Sequence, residues 1–256
     1  MQERVLFVQN ATPTTITTFH DLISNELPQS LGPWNFELKI FLNNKFSRPA
    51  NFEPNQIANR YLYTLQLSYY SNQTITIINN SKSIITRIPN TSSLINDTSN
   101  LENSALIEHI KHGCANNTGT TTENFEQLIT KKLASLWTVK QTIKGEGGYG
   151  YVISVPGLNE DGQHEKFRLR TSNCFLHGLF KGFLIEIEHL DDEIEQDDNL
   201  ERNGLIVKFT NSINKIKSLI DLYKFPEGNL CFNVLNETKL DYLSDLCQQY
   251  CDALQF

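Results

Sequence analysis

The sequence predicts an α+β chain in which an antiparallel β-barrel of about eight strands is flanked by about four helices. Three observations carry this. Short runs rich in β-branched and aromatic residues recur along the chain, bounded by Gly, Pro, Asn or Ser. Stretches with apolar residues every three or four positions stand near the start, in the middle and over the last quarter. Neighbouring β-runs are joined mostly by connections too short for a parallel crossover, so antiparallel pairing is expected, and closure into a barrel removes unpaired edges.

Val5-Leu-Phe-Val8 reads as a buried strand. In Ala11-Thr-Pro-Thr14, Thr12 suits an N-cap and Pro13 the first helical position. Ile16, Phe19, Leu22, Ile23 and Leu27 then recur at helical spacing up to Pro28. Trp34, Phe36, Leu38 and Ile40 alternate as in a half-buried strand, and residues 43–56 read as a loop. Tyr61 to Tyr70 and Thr74 to Ile78, split by Ser71-Asn-Gln73, suggest a hairpin, followed by a run from Ser83 to Ile88. Segment 90–124 is poor in bulky apolar groups and reads as a mobile insertion, with a short helix possible over Leu101 to Ile110.

Phe125, Leu128, Ile129, Leu133 and Leu136 restore helical spacing. Four candidate strands follow: Val139–Lys144, Tyr149–Val155, Lys166–Thr171 and Gly182–His189. An acidic loop over about 190–200 precedes a helix marked by Leu205, Ile206, Phe209, Ile213, Ile216, Leu219, Ile220 and Tyr223. A last helix spans about Leu240 to Leu254, with Leu243, Leu246, Cys247, Tyr250 and Leu254 on one face. With no internal repeat or linker, residues 1–256 read as one β-barrel domain. Trp34 and Trp137 are assigned to its core.

Composition bounds the function. A net charge of -7 disfavours direct nucleic-acid binding, because an acidic surface repels phosphates. Five Cys without framework spacing suggest free thiols in a reducing compartment. The apolar run Val5–Val8 is too short for a signal-peptide core, and no run approaches the roughly 18 apolar residues of a membrane helix. The expectation is a soluble intracellular protein without membrane contact.

Candidate chemistry is sparse. Gly145-Glu-Gly147-Gly-Tyr-Gly150-Tyr-Val152 fits the phosphate loop of protein kinases, but the lysine, H-R-D and D-F-G motifs that must accompany it do not follow. A β-run after the glycines also argues against a dinucleotide site, so the segment reads as a hairpin turn. Cys247 with Cys251, and His109 with His112 and Cys114, are thin metal constellations; core packing and a solvated segment are the simpler readings. Glu186 and Glu188 alternate on one strand, as do Lys166, Arg168 and Arg170 on its neighbour. Turned into a barrel, such carboxylates and cations would serve a metal-dependent, tunnel-type triphosphatase. The other candidate strands carry almost no Asp or Glu, so solvated faces paired across the strands are the preferred reading.

Several segments in order resemble the fungal Mediator subunit 20 family: Val5-Leu-Phe-Val-Gln-Asn-Ala-Thr-Pro-Thr14, Tyr63 to Asn80, Leu133-Ala-Ser-Leu-Trp137 with Gln141-Thr-Ile-Lys-Gly145, Phe180-Lys-Gly-Phe-Leu-Ile-Glu186, and Asp245-Leu-Cys-Gln-Gln-Tyr250. The resemblance implies a nuclear, non-enzymatic subunit of the Mediator head module of RNA polymerase II, folded as a β-barrel flanked by helices. It implies pairing with subunit 18, indirect contact with subunit 8 and the polymerase, no cofactor and no catalytic residue. Tyr69, Tyr70, Phe175, Phe180 and Phe183 lie near expected strand ends or turns and are the candidate partner-binding residues, since interface hot spots favour aromatics.

Overall fold

The computed structural model describes residues 2–44, 60–70, 73–78, 82–87, 127–156, 164–190, 202–235 and 241–256. Segment 90–124, His109, His112, Cys114 and residues 191–200 of the acidic loop lie outside them. The chain divides into two compact units. The first comprises Met1–Asn35, Gly145–Asn233 and Asp252–Phe256; the second comprises Phe36–Lys144 and Val234–Cys251.

Nine strands stand among the described residues: β1 (Gln2–Val8), β2 (Gln29–Asn43), β3 (Tyr61–Leu67), β4 (Gln73–Ile78), β5 (Lys82–Arg87), β6 (Trp137–Val155), β7 (Glu165–Leu176), β8 (Leu179–Leu190) and β9 (Asn229–Cys231). Helices are α1 (Pro13–Ser24), α2 (Arg202–Tyr223) and α3 (Tyr242–Ala253), with a π-helical turn at Leu128–Lys132. The α+β class holds. Strands β2 and β6 run through both units; the order is β2-β6-β7-β8-β1-β9 in the first and β5-β4-β3-β2-β6 in the second. Pairing is antiparallel where the partners are resolved in register, as in β1 with β8 and β2 with β3.

In the first unit, local chemistry sets α1. Thr12 Oγ1 accepts from the Thr15 amide at 3.1 Å and the Thr15 hydroxyl accepts from the Thr12 amide at 3.3 Å, with Pro13 opening the helix. Its buried face sends Phe19 and Ile23 into an apolar layer with Ile216 and Leu219 of α2 and Leu6, Leu169, Ile185 and Ile187 of the sheet. Leu27 does not continue that face. The helix stops at Ser24, and Leu27, at φ 48° before Pro28, is 92% exposed.

The glycine segment departs most from the sequence reading. Gly145 to Gly150 is no hairpin turn but the middle of the continuous strand β6. A Cβ on Gly148 would lie 2.6 Å from the Trp34 carbonyl oxygen and 2.9 Å from that of Thr171. Glycine is therefore required there by the close approach of two neighbouring strands, not by a change of direction. The buried Trp34 indole uses this proximity, donating from Nε1 to the Thr171 carbonyl at 2.9 Å.

In the second unit, Phe41, Leu62 and Ile129 form a small core against which Ile78 and Trp137 pack. The helix expected over Phe125 to Leu136 is reduced, among the described residues, to the π-helical turn, and Leu128 and Leu136 are exposed. Asp241 caps α3 by accepting from the Ser244 amide at 3.2 Å. Residues 244–251 are buried on every side of that helix, so its apolar stripe understates its burial.

Candidate interaction surface and buried charge network

Strands β7 and β8 position both candidate sites. They meet in a two-residue turn, His177-Gly178, with φ 52° and 76°, the positive values that a tight hairpin matching strand twist requires. The turn lifts Leu179 and Phe180 into solvent at 65% and 43% exposure. Phe175 and Phe180 face each other edge-on, ring centroids 5.9 Å apart, across a register irregularity between Cys174 and Phe175. The hairpin tip thus exposes Leu179 and Phe180, with Phe175 packed against Phe180, at the end of the β7–β8 ladder.

The sequence-derived aromatics divide. Phe180 is exposed and Phe175 half-buried. Phe183 is buried at 2% in the core, edge-on to Phe19 and His20; the inference that it lies open at a strand end is corrected, because its side chain alternates inward onto α1. In the second unit, Tyr69 and Tyr70 are half-buried beyond β3, their rings 4.7 Å apart, and the Tyr70 hydroxyl donates to that of Tyr242 at 3.0 Å.

Further along the same two strands, Arg168 stands opposite Glu188 and Arg170 opposite Glu186. Arg168 Nη1 reaches Glu188 Oε2 at 2.5 Å; Arg170 Nη1 contacts Glu186 and lies 3.8 Å from Glu188 Oε2. Pairing across the strands holds, but the expected solvated face does not. Both carboxylates are 0% exposed, and Arg170 is buried with them. Opposite charges in hydrogen-bond contact offset the desolvation each suffers alone. A guanidinium group thus engages Glu186 Oε1 and Glu188 Oε2, while Glu188 Oε1 is buried without a hydrogen-bond partner among the described residues. No cluster of three or more His, Cys, Asp and Glu fit to hold a metal occurs among the described residues. Cys247 and Cys251 are both buried, as core packing requires.

On the opposite face lies an arrangement the sequence concealed. His189 Nδ1 is 3.1 Å from Ser212 Oγ of α2, and its Nε2 is 2.6 Å from Glu165 Oε2 of β7. Lys215 Nζ donates to Glu165 Oε1 at 2.7 Å. Burial raises the Glu165 pKa, but hydrogen bonds and charges from Lys215 and His189 lower it further, leaving it below the ordinary glutamate value. The Ser–His–Glu row has the composition of a hydrolytic triad, but Ser212 lies buried beneath the helix that carries it. Its effect is to clamp α2 to the sheet. With His189 and Ser212 separated by 23 positions in the chain, no local motif announced it.

A β-rich α+β chain with the Arg170–Glu186 pair buried in its sheet and apolar groups exposed on a hairpin tip has the features of a protein-interaction domain. Residues 1–255 match the family model described as the TATA-binding related factor of subunit 20 of the Mediator complex. Relatives named Mediator of RNA polymerase II transcription subunit 20 include those of Debaryomyces hansenii, 36% identical over 261 residues, and Scheffersomyces stipitis, 36% over 262, each match covering 100% of both chains. That of Saccharomyces cerevisiae is 25% identical over 72% of each. The chain belongs to the Mediator subunit 20 family, whose members are nuclear components of a transcription coactivator.

Proposed function

We propose that this chain acts without catalysis, as a Mediator head-module subunit that pairs with subunit 18 and through it links regulators to RNA polymerase II, with subunit 8 as an indirect contact. Family membership supports the assembly, and the exposed hairpin tip supports a contact mode. Leu179 and Phe180 are the anchors, Phe175 braces Phe180 from behind, and Tyr69 with Tyr70 offers a second aromatic patch in the other unit. Apolar groups at the centre of an interface carry most of the binding energy.

The test is co-expression of the full chain with subunit 18 and the C-terminal region of subunit 8 from one organism, followed by size-exclusion chromatography. The wild type co-elutes, whereas Leu179→Ser combined with Phe180→Ser weakens association by about tenfold or more. Failure of the wild type to co-elute would overturn the pairing.

The buried Glu186 and Glu188 keep a second reading in view, a metal-dependent triphosphatase. Incubation with a nucleoside triphosphate and Mn²⁺ is expected to release no phosphate above the blank. Turnover that Glu188→Gln abolishes would establish the enzyme instead.

A further inference from the structure

We propose that the end of the second unit where β6 enters the sheet docks an acidic segment of a partner protein that also carries aliphatic side chains. Backbone hydrogen bonds gather this end. The Asn44 amide donates to the Leu136 carbonyl at 2.7 Å, and the Asn43 amide to that of Arg60 at 3.0 Å. The Thr138 hydroxyl donates to the Leu42 carbonyl at 3.4 Å. The start of β6, the turn before it and the chain entering β3 therefore meet around the close of β2. Four exposed cations stand on these segments: Arg60, Lys131, Lys132 and Lys140. Lys140 Nζ lies 5.1 Å from the centre of the Tyr61 ring, which fixes it beside Arg60.

These cations gather in a chain whose net charge is -7, and among the described residues none of the four pairs with a carboxylate. The acidic side chains described in this unit are engaged elsewhere. Glu37 pairs with Lys39 at 2.7 Å, with Lys144 at 3.9 Å. Asp241 caps α3, and Asp245 accepts from the Leu235 and Asp241 amides at 2.9 and 3.0 Å. Neighbouring cations such as Lys131 and Lys132 repel each other, and carboxylates of a partner replace that repulsion with attraction. The same stretch exposes Leu128, Leu136 and Val139, the last by half. Thr138, Val139 and Lys140 are exposed in succession, so neither face of β6 is covered at its start. A nucleic acid would satisfy the cations but offer its phosphates nothing to set against the aliphatic groups, and the net charge repels it. A peptide segment carrying both carboxylates and Leu meets both features, with aliphatic contacts inside a charged rim.

The probe is a fluorescent peptide of about a dozen residues, half of them Glu, with Leu at every third or fourth position, titrated into the full chain by anisotropy. Binding should be saturable and weaken about tenfold or more when Lys131→Glu, Lys132→Glu and Lys140→Glu are combined. The corresponding Gln variants, which remove the charge without reversing it, should weaken it about threefold and keep the wild-type circular dichroism, since all three positions face solvent. Leu136→Ser with Val139→Ser, or Ser in place of each Leu of the peptide, should also weaken it about threefold or more. A DNA oligonucleotide of equal charge should fail to displace the peptide. An absence of binding overturns the proposal, as does binding indifferent to the lysines or to the aliphatic groups, or displacement by the oligonucleotide. The assay contains no subunit 18 and leaves the hairpin tip unchanged, so its result stands apart from that of the pairing experiment.

Discussion

Arg170 lies against Glu186 across the β7–β8 ladder, both side chains withdrawn from water. Removing one partner leaves the other charged in a site without solvent. Glu186→Ala is therefore expected to destabilise the fold by about 3–5 kcal/mol, read from urea-unfolding midpoints. Glu186→Leu combined with Arg170→Met should recover most of that loss, because neither charge then needs a partner. A single variant as stable as the wild type would contradict the burial of this pair.

Gly148 tests the close approach of the strands. An Ala side chain there meets carbonyl oxygens of Trp34 and Thr171 closer than carbon and oxygen tolerate. Gly148→Ala should destabilise by about 1–3 kcal/mol and quench or shift Trp34 fluorescence as the Trp34–Thr171 hydrogen bond is strained. Unchanged melting temperature and emission would place the strands farther apart.

The Glu165 clamp predicts an acid dependence. A carboxylate held below its unfolded value stabilises the fold above that value and loses the contribution as pH falls through the folded one. The gap in urea midpoint between wild type and Glu165→Gln should be widest near neutral pH and close below about pH 4. A gap constant with pH would assign Glu165 a packing role alone.

Thiol chemistry follows from burial. Burial pushes the Cys174 thiol far up, and that of Cys231 sits at about 11. The thiolate is the reactive form, so both should resist alkylation at pH 8 in the native chain and react once it is unfolded. Mass mapping of modified peptides reads this directly; rapid native labelling of Cys174 would contradict its burial.

Features governed by a few adjacent residues were legible in the sequence. Thr12 and Pro13 start α1 because cap and ring geometry act within one turn. The alternation of Arg168 and Arg170, and of Glu186 and Glu188, announced a cross-strand charge pairing because the side-chain period of a strand is two. Resemblance along the chain pointed to the family that the comparisons bear out.

Tertiary structure alone decided the rest. Glu186 and Glu188 read as solvated because charges usually are; their complete burial depends on what distant parts of the chain lay over that face. The glycines of β6 read as a turn because glycine tolerates one, whereas only the positions of Trp34 and Thr171 make Gly148 obligatory. β9 is three residues long and carries no periodicity; it is a strand because β1 presents an edge to it. Caps and alternation act over a few residues, while burial and strand approach are set by groups far apart in the chain, so the former can be read from the sequence and the latter arise only with the fold.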